Sequence, residues 1–160
     1  MTDAADASVH ASAVLVDGRA VLIRGPSGAG KSRLAFDLIV AGRSGQIPPA
    51  VLVGDDRVYL ETIAGQLVVR PARELAGLIE IRGLGIRRCD FAEEAIVGLV
   101  VDLSATDAER LPPPESFLIR LNGVKIPRIP VGEAFSPLPL VVAALTTIGG
   151  TTSAHLRRIV

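Results

Sequence analysis

The stretch GPSGAGKS, residues 25 to 32, constrains this chain more than any other. Gly25, then four residues, then Gly30, Lys31 and Ser32 give the spacing of a phosphate-cradling loop. Such a loop works between a strand that delivers it and a helix that leaves it. Ala20 to Arg24 reads as the strand. KSRLAFDLIVAG puts Leu34 and Leu38, with Ala35 and Ile39, on one face of a short helix closing near Gly42. Glycines let successive N–H groups turn inward, and the helix adds the positive end of its dipole. The expected nucleotide-binding residues are Gly25, Pro26, Ser27, Gly28, Ala29, Gly30, Lys31, Ser32 and Arg33. Lys31 would serve the β- and γ-phosphates and Ser32 a Mg²⁺ shell.

The remaining pattern is rich in strands. ASAVLVDGRAVLIRG is two β-rich runs about Asp17-Gly18, a strong hairpin signal. GRSGQIPP reads as a loop, AVLVGDD as a short strand ending in two acids, and RVYLETIAGQLVVR as a second hairpin. LIEIRGLGI is a strand running into a glycine turn, and EEAIVGLVVDLS a nearly all-apolar strand of the kind buried inside a sheet. ERLPPPE must be a loop, FLIRLNGVKIPRIPV a hairpin about Asn122-Gly123, and PLVVAALTTIG a final helix. With no internal repeat and no linker, the expectation is one mixed α/β domain.

Composition narrows the partners. Of 160 residues 49% are apolar, which fits a packed core. The 17 basic and 17 acidic residues balance, so no nucleic-acid or anionic-membrane partner is expected. Cys89 is the single cysteine, which fits a reducing compartment and a small buried apolar role. The opening MTDAADASV lacks the pattern of a secretory signal, and no apolar stretch reaches the roughly 18 residues a membrane span needs. A soluble cytoplasmic protein is expected.

Acids near the loop come next. An apolar strand ending in acid is the usual source of a metal-holding carboxylate, which makes Asp55 and Asp56 candidates. Side chains alternate along a strand. Val51, Val53 and Asp55 would then share one face, and Leu52, Gly54 and Asp56 the other. A regular strand lets only one Asp aim at the γ-phosphate. His10 lies on the strand that the Asp17-Gly18 hairpin folds back beside the loop, within reach of a carboxylate or a phosphate. Glu80 and Arg82 would lie on one strand face, as a metal acid and a phosphate base or as a plain salt link. Arg128, Arg87 and Arg88 are further candidates that also suit a solvated surface, and His155 reads as exposed.

VHASAVLVDGRAVLIRGPSGAGKSRLAFDLI, LVGDDRVYL and LIEIRGLGI, in that order, resemble the catalytic domain of HPr kinase/phosphorylase over residues 9 to 88. These bacterial enzymes phosphorylate a serine on the phosphocarrier protein HPr and also remove that phosphate, regulating a phosphotransferase system. The resemblance implies an α/β fold with a P-loop in a mixed-sheet core, related to phosphoenolpyruvate carboxykinase. It implies ATP and Mg²⁺ as cofactors, an HPr-like partner and a homo-oligomer, a hexamer in longer members. His10 would be the active-site histidine, Asp55 the acid/base carboxylate, Asp56 its neighbour and a metal residue with Ser32, and Glu80 a Mg²⁺ residue. Arg82 would belong to the signature strand lining the active centre. The chain would be a single catalytic domain over residues 1 to 160, with residues 1 to 8 a flexible tail. It would be a short form, of the α-proteobacterial kind, without the amino-terminal domain. IPRIPVGEAF keeps only one arginine, Arg128, of the family's PVRxGR-like loop, and Glu133 stands near the lost one. That departure bears on phosphorylase activity and on oligomer contacts. Two rivals stay open: a kinase of this fold with another acceptor, and a non-catalytic ATP sensor.

Overall fold

The computed structural model describes residues 7–150; residues 1–6 and 151–160, with His155 among them, lie outside the described residues. Among the described residues eleven strands and two α-helices follow one another. They are β1 (Ser8–Val9), β2 (Ser12–Val16), β3 (Arg19–Arg24), α1 (Lys31–Arg43), β4 (Ala50–Gly54), β5 (Val58–Ile63) and β6 (Gln66–Pro71). After them come β7 (Leu78–Ile81), β8 (Gly85–Arg88), β9 (Ala95–Leu103), β10 (Leu118–Leu121), β11 (Val124–Val131) and α2 (Pro137–Thr146). Nine strands make one sheet in the order β1-β5-β6-β9-β3-β2-β4, with β11 also on β9 and β10 on β11. Strands β3 and β11 run parallel to β9, and the other pairings are antiparallel. Strands β7 and β8 form a separate two-stranded sheet.

The hairpins form where the turn chemistry allows. Asp17 and Gly18 have φ of 50° and 82°, and Asn122 and Gly123 have 47° and 79°. Both residues of each turn are left-handed, which matches the twist of the strands they join and suits an Asx-Gly pair. Ser8 pairs with Tyr59 in β1, so the ordered sheet begins inside the stretch expected to be a tail. Pro137 and Pro139 occupy the first turn of α2, where a missing N–H costs nothing, so they start that helix rather than break it. Pro114 likewise opens a short 3₁₀ turn, Pro114–Phe117, where only a loop was expected.

Alternation along the strands divides the core between the two sheet faces. Val14, Val16, Val21, Ile23, Leu99 and Val101 pack with Leu34, Leu38 and Ile39 of α1 and Val141 of α2. Ala13, Leu22, Val53, Val58, Leu67, Val97 and Val100 fill the other face. Each fully buried Leu or Val contributes about 1.5–3 kcal/mol relative to exposure. Among the described residues no helix is long and apolar enough to cross a membrane.

Candidate active site

The Gly-rich loop joins the end of β3 to α1, as its motif requires. Gly30 caps α1 at φ 100°, and the helix has neither a side-chain cap nor an acid in its first turn. The first N–H groups are thus left to an anion, with the dipole favouring it. The Lys31 ammonium lies back over the loop, donating to the carbonyls of Gly25 at 2.8 Å and Pro26 at 3.2 Å. Arg33 lies on the outer side of the first turn, 88% exposed and 3.9 Å from Asp37.

Asp55 is the buried centre. Its side chain accepts hydrogen bonds from the hydroxyls of Ser12 and Ser32, both 2.7 Å from Oδ1, and from the Glu80 backbone N–H, 3.1 Å from Oδ2. Strict alternation would have put Asp55 on the face of Val53, away from α1. A β-bulge reverses this: Val14 of β2 opposes Leu52 while Ala13 opposes Gly54, leaving Val53 as the extra residue. The extra residue shifts the parity, so Leu52 packs on the α1 side, Val53 on the other, and Asp55 reaches Ser32.

Asp56 goes the opposite way. The Arg57 N–H donates to the Asp55 carbonyl at 2.8 Å, around Asp56 at φ 68°. This is a γ-turn of the rare positive-φ kind, a conformation that stores about 1–3 kcal/mol of strain in a non-glycine residue. It separates the neighbouring carboxylates, burying Asp55 and leaving the Asp56 side chain 66% exposed. The freed carboxylate meets His10, with Nδ1 4.0 Å from Oδ1.

The other candidates divide. Glu80 binds Asp55 through its backbone, and its side chain is exposed. Arg82 does not share a strand face with it, because β7 ends at Ile81 and Arg82 stands in the exposed turn. Arg87 and Arg88 are exposed on β8. Cys89 is half-buried against the α1-side core, and burial pushes its thiol up, which suits an unreactive apolar filler. Arg128, a candidate that also suited a solvated surface, is instead 13% exposed and held in a network of acids. Its guanidinium is taken up by Asp102 at 2.6 Å, Asp107 at 2.7 and 3.0 Å, and the Ser116 carbonyl at 3.0 Å.

Sequence reasoning missed two participants. Ser12 is fully buried, and its signal was a lone hydroxyl in the strand SAVLV. Asp102 accepts from both Arg24 and Arg128, and its signal was the one charge in AIVGLVVDL.

Among the described residues no three His, Cys, Asp or Glu side chains converge as a metal cage. Mg²⁺ needs no such cage, since it keeps waters and takes one or two carboxylates plus phosphate oxygens. Ser32 beside Asp55 fits that donor set. Two cavities lie away from this site. One of about 290 Å³ opens between Arg19, Gln66, Val97 and Lys125, and one of about 600 Å³ at Gly77, Arg88 and Phe91. The phosphate loop lines neither of them.

Comparison with known proteins agrees with this architecture. Residues 2–132 match the model of the HPr serine kinase C-terminal domain. HPr kinase/phosphorylase of Clostridium beijerinckii is 41% identical over 83 residues, 52% of this chain and 25% of that protein. The Streptococcus thermophilus enzyme of the same name is 38% identical over 136 residues, 76% of this chain and 41% of that protein. The chain thus spans about a quarter to two-fifths of the length of these relatives. The structure of an HPr(Ser) kinase/phosphatase from Coxiella burnetii superposes with a TM-score of 0.68 at 26% identity, covering 87% of this chain and 93% of that one. The fold is that of the HPr(Ser) kinase/phosphatase, and the chain belongs to the HPr serine kinase C-terminal domain family.

Proposed function

We propose that this domain transfers the γ-phosphoryl group of ATP, with Mg²⁺, to a serine hydroxyl of an HPr-like phosphocarrier protein, in a cytoplasmic bacterial phosphotransferase system. The observation that carries this reading is the Asp55 carboxylate, gripped at once by Ser32, Ser12 and the Glu80 N–H. It sets the P-loop serine against a buried anion, the arrangement that P-loop enzymes use for their metal. When bound, Mg²⁺ supplies charge neutralisation at the β- and γ-phosphates, with Ser32 and Asp55 as its residues on this chain.

Phosphoryl transfer asks the protein mainly for alignment and charge stabilisation. Loop N–H groups and the α1 dipole bind the phosphates. Lys31 turns from the Gly25 and Pro26 carbonyls to the phosphate oxygens. The resemblance gave the acid/base role to Asp55, but geometry favours Asp56 for it. Asp55 is 4% exposed and already accepts three hydrogen bonds, whereas Asp56 stands open to an approaching protein. In this assignment Asp56 accepts the serine proton as the hydroxyl oxygen attacks the γ-phosphorus, the bond to the β–γ bridging oxygen breaks and ADP leaves, and His10 orients the Asp56 carboxylate. In the separate phosphorolysis, an oxygen of inorganic phosphate attacks the phosphoserine phosphorus to form pyrophosphate, the serine O–P bond breaks, and protonated Asp56 gives its proton to the leaving serine oxygen.

The test is incubation with Mg-ATP and the same organism's HPr, followed by mass measurement of the acceptor. Gain of one phosphoryl group on a serine is expected. ATP binding without any phosphorylated product would overturn the kinase reading in favour of a sensor. Product on another protein from a lysate, and none on HPr, would replace the acceptor.

A further inference from the structure

Asp102 lies at the carboxyl end of β9, in register with Arg24 of β3 on one side and Pro130 of β11 on the other. Arg24 is the last residue before the phosphate loop, and it grips Asp102 as a fork, Nε to Oδ1 at 2.7 Å and Nη2 to Oδ2 at 2.8 Å. Arg128 binds Oδ2 from β11 at 2.6 Å and extends the chain to Asp107 and the Ser116 carbonyl. Side chains of Asp102 and Arg128 are 14% and 13% exposed. The next residue of β9, Leu103, closes on the loop itself: a Cβ added at Gly25 would stand 3.0 Å from the Leu103 Cβ.

We propose that Asp102 is the positioning residue of the phosphate loop. Its carboxylate fixes the point at which the loop leaves the sheet and ties that point to the connection after β9. Two guanidiniums and two carboxylates cancel in charge, and such a partly buried network stabilises little relative to apolar side chains of equal volume. What it fixes is direction, because a bidentate fork tolerates one orientation. Arg24 is so held by Asp102, while Leu103 packs on the following residue. The loop therefore inherits the position of β9, and Arg128 carries the same constraint to the segment containing Asp107. This assignment rests on nucleotide binding as proposed above, but not on the identity of the acceptor.

The test compares the parent chain with Asp102→Asn by Mg-ATP calorimetry and by hydrogen exchange at residues 25 to 32 without nucleotide. Affinity about fivefold weaker is expected, equivalent to about 1 kcal/mol, with faster exchange confined to the loop. A folded variant with unchanged affinity and loop exchange overturns the proposal. So does exchange raised evenly over α1 and the sheet, the mark of a purely structural loss. If Asp102→Asn does not fold, Arg24→Lys, which keeps the charge but loses the fork, decides by the same two readouts. A parent that takes no Mg-ATP defeats the kinase reading, and the exchange comparison still decides the role of Asp102.

Discussion

The hydroxyl of Ser32 donates to the carboxylate of Asp55 across 2.7 Å, joining the first turn of α1 to the end of β4. Ser12 donates to the same oxygen from β2, yet the two serines have different work. Ser12→Ala removes one hydrogen bond to a charged group and is expected to cost about 1.5 kcal/mol with Mg-ATP affinity kept. Ser32→Ala should keep most stability and lose Mg²⁺-dependent affinity. Denaturant titration beside calorimetry checks the split, and equal effects on both readouts would refute it.

Asp55→Asn exchanges an acceptor for a donor among three existing donors. A loss of about 1–3 kcal/mol in stability is expected from the mismatch. Transfer should fall by more than about a hundredfold, the scale of losing a preorganised charge in a dry site. Near-parental turnover in a folded variant would remove Asp55 from the centre.

At Asp56 strain and chemistry can be pulled apart. Asp56→Gly relieves a positive-φ residue, so stability should hold or rise by about 0.5–1 kcal/mol. Transfer should collapse, because the exposed carboxylate is gone. Retained transfer in this variant would hand the base role back to Asp55.

Gly42 sets two effects against each other in α1. Alanine there gains about 1 kcal/mol of helix propensity. Its Cβ, however, would stand 2.7 Å from the Ala50 backbone nitrogen. Overpacking against backbone costs about 1–3 kcal/mol, so Gly42→Ala should be destabilising overall. A raised melting temperature would show that β4 yields.

Acid should weaken the fold partly through Asp102. Burial pushes its carboxyl up, but the guanidiniums of Arg24 and Arg128 outweigh that and hold it below the usual carboxylate range. A depressed carboxyl contributes stability that is present above the unfolded value near pH 4 and lost as pH falls through the folded value. Urea titrations at pH 5 and pH 3 should therefore show the gap between parent and Asp102→Asn shrinking. A constant gap would mean that charge at Asp102 contributes nothing.

Legibility followed sequence distance. The hairpin about Asp17-Gly18, the loop from Gly25 to Ser32 and the stripe of Leu34 and Leu38 depend on neighbours in the chain, so local chemistry announces them. Where Asp55 points does not. It is decided by an extra residue, Val53, in the pairing of β4 with β2. Alternation could not show that, and the twin aspartates stayed ambiguous until the bulge and the γ-turn parted them. The surroundings of Arg128 were illegible for a similar reason: its partner Asp102 is 26 positions away and comes from another strand, and Arg24 stands 78 positions from the same carboxylate. A charge read alone looks free.

Strand β9 has a consequence for how the protein is made. It lies against β3, β6 and β11, yet it emerges only after the phosphate loop, α1 and eight strands have been synthesised. Until then β3 carries an open edge on the side that β9 will cover, which invites association with other chains. The nascent protein thus holds its Gly-rich loop on a strand supported from one side alone until residues 95 to 103 are in place.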